Sequence, residues 1–214
     1  MVDFRWRQAA ARQCTERAGR ARMRPFGIPT RLIMKRHIAL LRGINVGKAK
    51  RIAMADLRAL MEGLGYANVR TLLNSGNAVF DARAGTPAAH ARKLKAAILA
   101  QAGVDCEVVV KTAAELAAAL AEHPLRKHAN DDARMLVMFM QDAAALDKLK
   151  PLESQDWAPE AFAAGRHAAW LWCADGIIES RLSKAVGKAL GPLGTARNWA
   201  TACKLDALAR DAAD

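Results

Sequence analysis

Val69-Arg70-Thr71-Leu72-Leu73-Asn74-Ser75-Gly76-Asn77-Ala78-Val79-Phe80-Asp81 is the stretch on which the fold turns. Two short apolar runs, residues 69–73 and 78–81, flank a polar, glycine-bearing turn at residues 74–77, and the whole reads as a β-hairpin. Upstream of it, Met54, Leu57, Leu60, Met61 and Leu64 recur at helical spacing until Gly65 stops them, and residues 37–41 form an apolar strand. Downstream, Thr86-Pro87 supplies an N-cap with proline at the first helical position. Leu94, Ala97 and Ile98 carry that helix's inward face, and Gly103 ends it. Residues 107–110 are a β-branched fourth strand. The order β-α-β-β-α-β is the split βαβ, or ferredoxin-like, unit.

The rest of the chain follows the same grammar. Thr112-x-x-Glu115 is a capping box that opens a linking helix through Leu116 and Leu120, and Pro124 ends it. A polar stretch at residues 123–132 separates a first half, residues 34–122, from a second, residues 133–214. In the second half, residues 135–140 read as a strand, and Asp142 caps a short helix carrying Leu146 and Leu149. Residues 151–166 read as irregular. Residues 168–173 and 177–180 read as a hairpin around Asp175-Gly176. Leu182, Val186 and Leu190 mark a further helix stopped by Gly191-Pro192, and a last helix is expected from Thr195 to about residue 210 in place of an eighth strand. The fold class is therefore α/β of the α+β kind: two ferredoxin-like halves with antiparallel sheets, helices packed on them and a C-terminal helix.

Topology gives two of the polar turns a shared place. Leu40-Leu41-Arg42-Gly43-Ile44-Asn45-Val46-Gly47-Lys48 leaves the first strand, and Ser75-Gly76-Asn77 joins the second to the third. In a split βαβ unit the first two strands run parallel, so both turns open at the same end of the sheet. Such turns leave backbone N–H groups free to face an anion, and Lys48, Lys50 and Arg51 follow at once. A third polar run, Thr195-Ala196-Arg197-Asn198-Trp199, is expected to open the terminal helix. Free N–H groups and a positive dipole end would make it anion-receptive, while Thr195 or Asn198 caps and Trp199 packs inward.

Those three motifs, in this order and spacing, resemble the bacterial domain-of-unknown-function family 1697, over residues 35–208. The resemblance implies an α/β fold with ferredoxin-like halves, and it brings no reaction, cofactor or catalytic residue with it. Members of that family usually begin just before the first strand. Here residues 1–33 form a leader with Arg5, Arg7, Arg12, Arg17, Arg20, Arg22, Arg24 and Arg31 against Asp3 and Glu16, a net +6 out of +12 for the chain. With no periodic apolar face, the leader is expected to be disordered or to come from a start site assigned too far upstream.

Composition bounds the chemistry. With 52% hydrophobic residues and a mean hydropathy of −0.04, the chain is globular, and no apolar run reaches the roughly twenty residues of a membrane span. Cys14, Cys106, Cys173 and Cys203 are far apart, which points to a reducing cytoplasm without a disulfide framework or metal site. No cofactor is indicated. Gly43-x-x-x-Gly47-Lys48 lacks the spacing of a P-loop, and the third glycine of a dinucleotide loop is missing. Ser75 has neither a nucleophile-elbow pattern nor a nearby base. Arg181, Lys184 and Lys188 share a helix face as a solvated basic stripe.

Two readings remain. The first is a binding protein for a phosphate-bearing ligand or nucleic acid, using Arg42, Gly43, Asn45, Gly47, Lys48, Arg51, Ser75, Gly76, Asn77 and Arg197. The second is an enzyme in which Asn45, Ser75 and Asn77 orient a small polar metabolite. None of the three motifs contains His, Asp or Glu, which favours binding.

Overall fold

A computed structural model describes residues 34–46, 50–128 and 130–211. The leader, and Gly47 and Lys48 of the first motif, lie outside the described residues. The first half runs β1 (Lys35–Arg42), α1 (Met54–Gly63), β2 (Ala67–Leu72), β3 (Asn77–Ala82), α2 (Pro87–Ala102), β4 (Glu107–Thr112) and α3 (Ala113–Glu122). The second runs β5 (Met135–Met140), a 3-10 helix (Ala143–Leu149), α4 (Lys150–Glu153), β6 (Ala161–Ala164), β7 (Ala169–Trp172), α5 (Arg181–Leu190), β8 (Gly194–Asn198) and α6 (Trp199–Arg210). Two four-stranded antiparallel sheets result, ordered β2-β3-β1-β4 and β6-β7-β5-β8, so one strand order occurs twice.

The strand sequences show why each sheet is covered on both faces. Along β1, Ala39 and Leu41 join a core with Leu57, Leu60 and Met61 of α1 and Leu94 and Ile98 of α2. Ile38 and Leu40 point the other way, into a core shared with the second sheet. Along β5, Met135, Val137 and Phe139 enter that same shared core, whereas Leu136, Met138 and Met140 pack on α5 and the 3-10 helix. Continuous apolar runs, rather than alternation, are what doubly covered strands require. Between the sheets lie α3 and α6, contributing Leu116, Ala119 and Leu120, and Ala202, Leu205 and Ala209.

Both middle-layer helices start directly from a final strand. Thr112 ends β4 and caps α3 through a capping box, with Glu115 N donating to Thr112 Oγ1 at 3.1 Å and Thr112 N to Glu115 Oε2 at 2.7 Å. Asn198 ends β8 and caps α6, its Oδ1 accepting from Thr201 N at 3.0 Å. First-sheet arginines cap the far end of α6. Arg36 donates to Ala209 O at 3.2 Å and pairs with Asp81 at 2.8 Å, while Arg70 donates to Leu208 O at 2.5 Å. Cations suit those orphan carbonyls by charge as well as by hydrogen bonding.

The first half matches the order read from sequence, and the second departs from it in three places. Residues 194–198 form β8, antiparallel to β5 with Met138 opposite Ala196, so the terminal helix begins at Trp199 instead of replacing an eighth strand. The second-half hairpin joins β6 to β7 through residues 165–168, with Phe162 opposite Leu171. Residues 177–180 lead into α5, whose cap is Ser180, and form no strand. The segment after Asp142 is chiefly 3-10 helix, with Asp142 Oδ1 accepting from Ala144 N at 2.9 Å. No helix among the described residues is long and apolar enough to cross a membrane.

Candidate functional site

The loop after β1 and the β2–β3 turn are neighbours, as topology requires, and Asn45 joins them. Its Nδ2 donates to Asn74 O at 2.7 Å and to Ile52 O at 3.0 Å, and its Oδ1 accepts from Ile52 N at 3.0 Å. Asn45 sits at φ 56°, a left-handed backbone that Asn tolerates. One side chain thus closes the loop on itself and on the hairpin.

Behind the turn lies Arg197. This arginine is 8% exposed and stands on the edge strand β8, yet it reaches into the first half. Its Nε donates to Asn77 Oδ1, and Nη1 donates to Thr195 Oγ1 at 2.9 Å and Ala196 O at 2.7 Å. Nη2 donates to Leu41 O at 2.7 Å, with longer bonds to Ser75 O and Gly76 O at 3.3 and 3.4 Å. All five N–H groups of the guanidinium are engaged. Every partner is neutral, so desolvation dominates and pulls the Arg197 pKa down to about 10. The group remains a cation at neutral pH, buried and without a carboxylate among its partners.

Arg42 makes the reciprocal bridge. From the end of β1 it donates to Gly191 O and to Gly194 O at 2.6 Å, holding the entry to β8. Asn77 is fully buried; its Nδ2 donates to Leu72 O at 2.9 Å and Ser75 Oγ at 3.0 Å. Gly76 has φ 76°, and a Cβ there would meet Leu41 Cβ and Ile44 Cδ1 at 2.7 Å. Gly43 has φ 68° with open space around it. The structure therefore brings Arg42, Gly43, Asn45, Ser75, Gly76, Asn77 and Arg197 into one cluster. In it, Asn45, Asn77 and Arg197 have their side-chain polar atoms committed to the protein itself, Arg42 commits its Nη1, and Ser75 is exposed.

The turn's outer side is differently supplied. A trans peptide sets its C=O and N–H on opposite sides. Because Ser75 O faces Arg197, the N–H of Gly76 faces away from it. Among the described residues, no backbone acceptor takes the N–H of Asn74, Ser75 or Gly76. In front of Asn45 and Asn74 opens a cleft of about 530 Å³, lined also by Arg51, Ile52, Ala53 and Met54. Asp56 lines a neighbouring cleft of about 580 Å³ that shares residues 51–53. By sequence, Asn74 belongs to the polar turn without counting among the candidate site residues, and Met54 belongs only to a helix face. Their common opening exists because residues 51–54 fold back beside the hairpin.

The other hairpin makes a useful parallel. Glu122, the last residue of α3, places its carboxylate in the β6–β7 turn. Oε2 accepts from Arg166 N at 3.1 Å and His167 N at 3.3 Å, and Oε1 lies 2.7 Å from His167 Nδ1. A side chain at Gly165 would collide with Oε2. Here a hairpin turn holds an anion through consecutive N–H groups.

Comparison with known proteins agrees with this architecture. The conserved bacterial protein SP0830 from Streptococcus pneumoniae has a solved structure that matches with a TM-score of 0.70 at 24% identity, over 83% of this chain and 100% of that one; at that identity the likeness concerns the fold. No curated protein matches the chain. The model of a family described as protein of unknown function (DUF1697) matches residues 34–170, which takes in the first two motifs and ends before Thr195. That match covers well over half of the sequence, and the chain belongs to the DUF1697 family.

Proposed function

We propose that this protein binds a small phosphate-bearing ligand in the cleft in front of Asn45 and Asn74. The observation that carries this reading is the buried Arg197 cation behind the turn, which has no carboxylate among its partners. It orients peptide carbonyls inward, and its uncompensated charge favours an anion on the outer side, where the N–H of Gly76 is turned. Arg51 lines the same cleft, and Lys48 belongs to the same reading by sequence.

A small ligand fits better than a nucleic-acid strand. Both faces of both sheets are occupied by the three cores, so neither sheet offers a face on which bases could stack. The volume lies within the range of about 300–1,000 Å³ typical of small-molecule sites. Holding, rather than reacting, is the fitting role: the described cleft-lining residues include no carboxylate, histidine or cysteine.

Calorimetric titration with pyrophosphate at low and at physiological salt tests the reading. Saturable binding that weakens with salt, and about tenfold or more with Arg51→Ala, is the expected result. Weak, non-saturable binding of equal size in both proteins would leave only diffuse positive charge.

A further inference from the structure

Resting on the phosphate reading, we infer that the ligand is a nucleotide, its phosphate at the turn and its base lying against Val46 and Leu73. These two residues flank the Asn45–Asn74 junction, and they are exposed to 73% and 54%. Leu73 also holds a left-handed backbone at φ 57°. A turn that needed only to reverse the chain would carry Gly or Asn there, since leucine is strained in that region. No burial offsets the strain. An apolar side chain kept at a strained and exposed position is accounted for by a surface it covers only when a ligand is bound.

The polar lining narrows the class. The Asn74 side-chain amide makes no hydrogen bond among the described residues; only its backbone carbonyl is taken, by Asn45. An amide presents one donor edge and one acceptor edge side by side, which matches the paired donor and acceptor on the edge of a base such as adenine. Ile52 and Met54 line the adjoining cleft and add apolar wall to it. Two shallow aliphatic lips, an unused amide and an anion-receptive turn together suit a flat, hydrogen-bonding ring carrying a phosphate. An acyl chain would need a deep apolar tunnel instead.

The test compares AMP, ribose 5-phosphate and adenosine as probes by titration calorimetry, with the intact chain and with Leu73→Asn and Val46→Asn. AMP is expected to bind about tenfold or more tighter than ribose 5-phosphate, from the area a base buries. Leu73→Asn should remove that advantage while leaving ribose 5-phosphate affinity unchanged. Its melting temperature should stay level or rise, because Asn accepts the left-handed backbone. A purely structural Leu73 would instead lower the melting temperature and weaken both phosphates together, which would overturn the inference. Equal affinities for AMP and ribose 5-phosphate would overturn it too, while leaving the phosphate site standing. Binding of neither phosphate, or salt-independent binding of adenosine as tight as AMP, would remove both.

Discussion

In the second half, the turn between β6 and β7 closes on a carboxylate, because Glu122 of α3 fills it with two backbone N–H bonds and a histidine contact. In the first half, the corresponding turn between β2 and β3 meets a side chain from the opposite partner with the opposite charge. Arg197 of β8 takes its carbonyls. The two halves share a strand order and a four-residue hairpin connection, and each receives a charged group from the other. The difference is which side of the peptide is taken. A carboxylate uses up the N–H groups, whereas a guanidinium uses up the C=O groups and leaves the N–H groups for something else. One hairpin has its turn N–H groups taken within the fold, and the other keeps turn N–H groups that no backbone acceptor among the described residues takes.

The largest effect should come from removing the cation. Arg197→Met leaves the buried acceptors Asn77 Oδ1 and Leu41 O without their donor, which should cost about 3–5 kcal/mol in urea unfolding. Arg197→Lys should recover little, because one ammonium cannot span the guanidinium's five donor directions. A loss below about 1 kcal/mol would mean that the second half does not depend on this bridge.

Next in size is Gly76→Ala. Positive φ and a Cβ at 2.7 Å from Leu41 and Ile44 should together cost about 2–4 kcal/mol. Gly176→Ala, at φ 97° with nothing within 4 Å, isolates the backbone part and should cost about 1 kcal/mol. Equal losses would remove close packing from the account of the first hairpin.

Glu122→Ala should cost about 2 kcal/mol, since it takes an ionised acceptor from three donors. Added acetate should restore part of the melting temperature by occupying the vacated N–H groups. No response to acetate would undercut the claim that such a turn holds an anion.

A smaller effect comes from pH. Burial lowers the pKa of His37, His90 and His123 below the ordinary value of 6.5. The folded protein keeps these rings neutral while the unfolded chain protonates, so stability is held above about pH 6.5 and lost as pH falls below it. His37 and His90 stand against Phe80 in the first sheet's core, and His123 stacks on Trp170 at 4.7 Å. Hydrogen exchange near pH 5 should therefore loosen β1 and β3 before β5. Simultaneous loosening would show the halves to be one cooperative unit.

The first half was legible because its elements carry their own signals. Thr86-Pro87, Gly103 and the Thr112–Glu115 box are local devices, and each appears where the sequence places it. In the second half the deciding interactions are remote. Ala161–Ala164 has little strand propensity of its own, and its hairpin is held by Glu122, more than forty residues earlier. Thr195-Ala196-Arg197-Asn198 reads as a helix start because Asn198 does cap a helix, three residues after the motif begins. Nothing local reveals that Arg197 stands on a strand and crosses to the other sheet. The meeting of the first two motifs followed from topology alone. The commitment of Arg42, Asn45 and Asn77 to the fold depends on atomic contacts that no spacing encodes.

The contrast between the two turns can be measured directly by following backbone amide resonances while inorganic phosphate is added. Saturable shifts are expected at Asn74, Ser75 and Gly76 with Arg166 and His167 unmoved, because Glu122 already occupies the second turn. Shifts of equal size at both hairpins, or none at residues 74–76, would contradict that contrast.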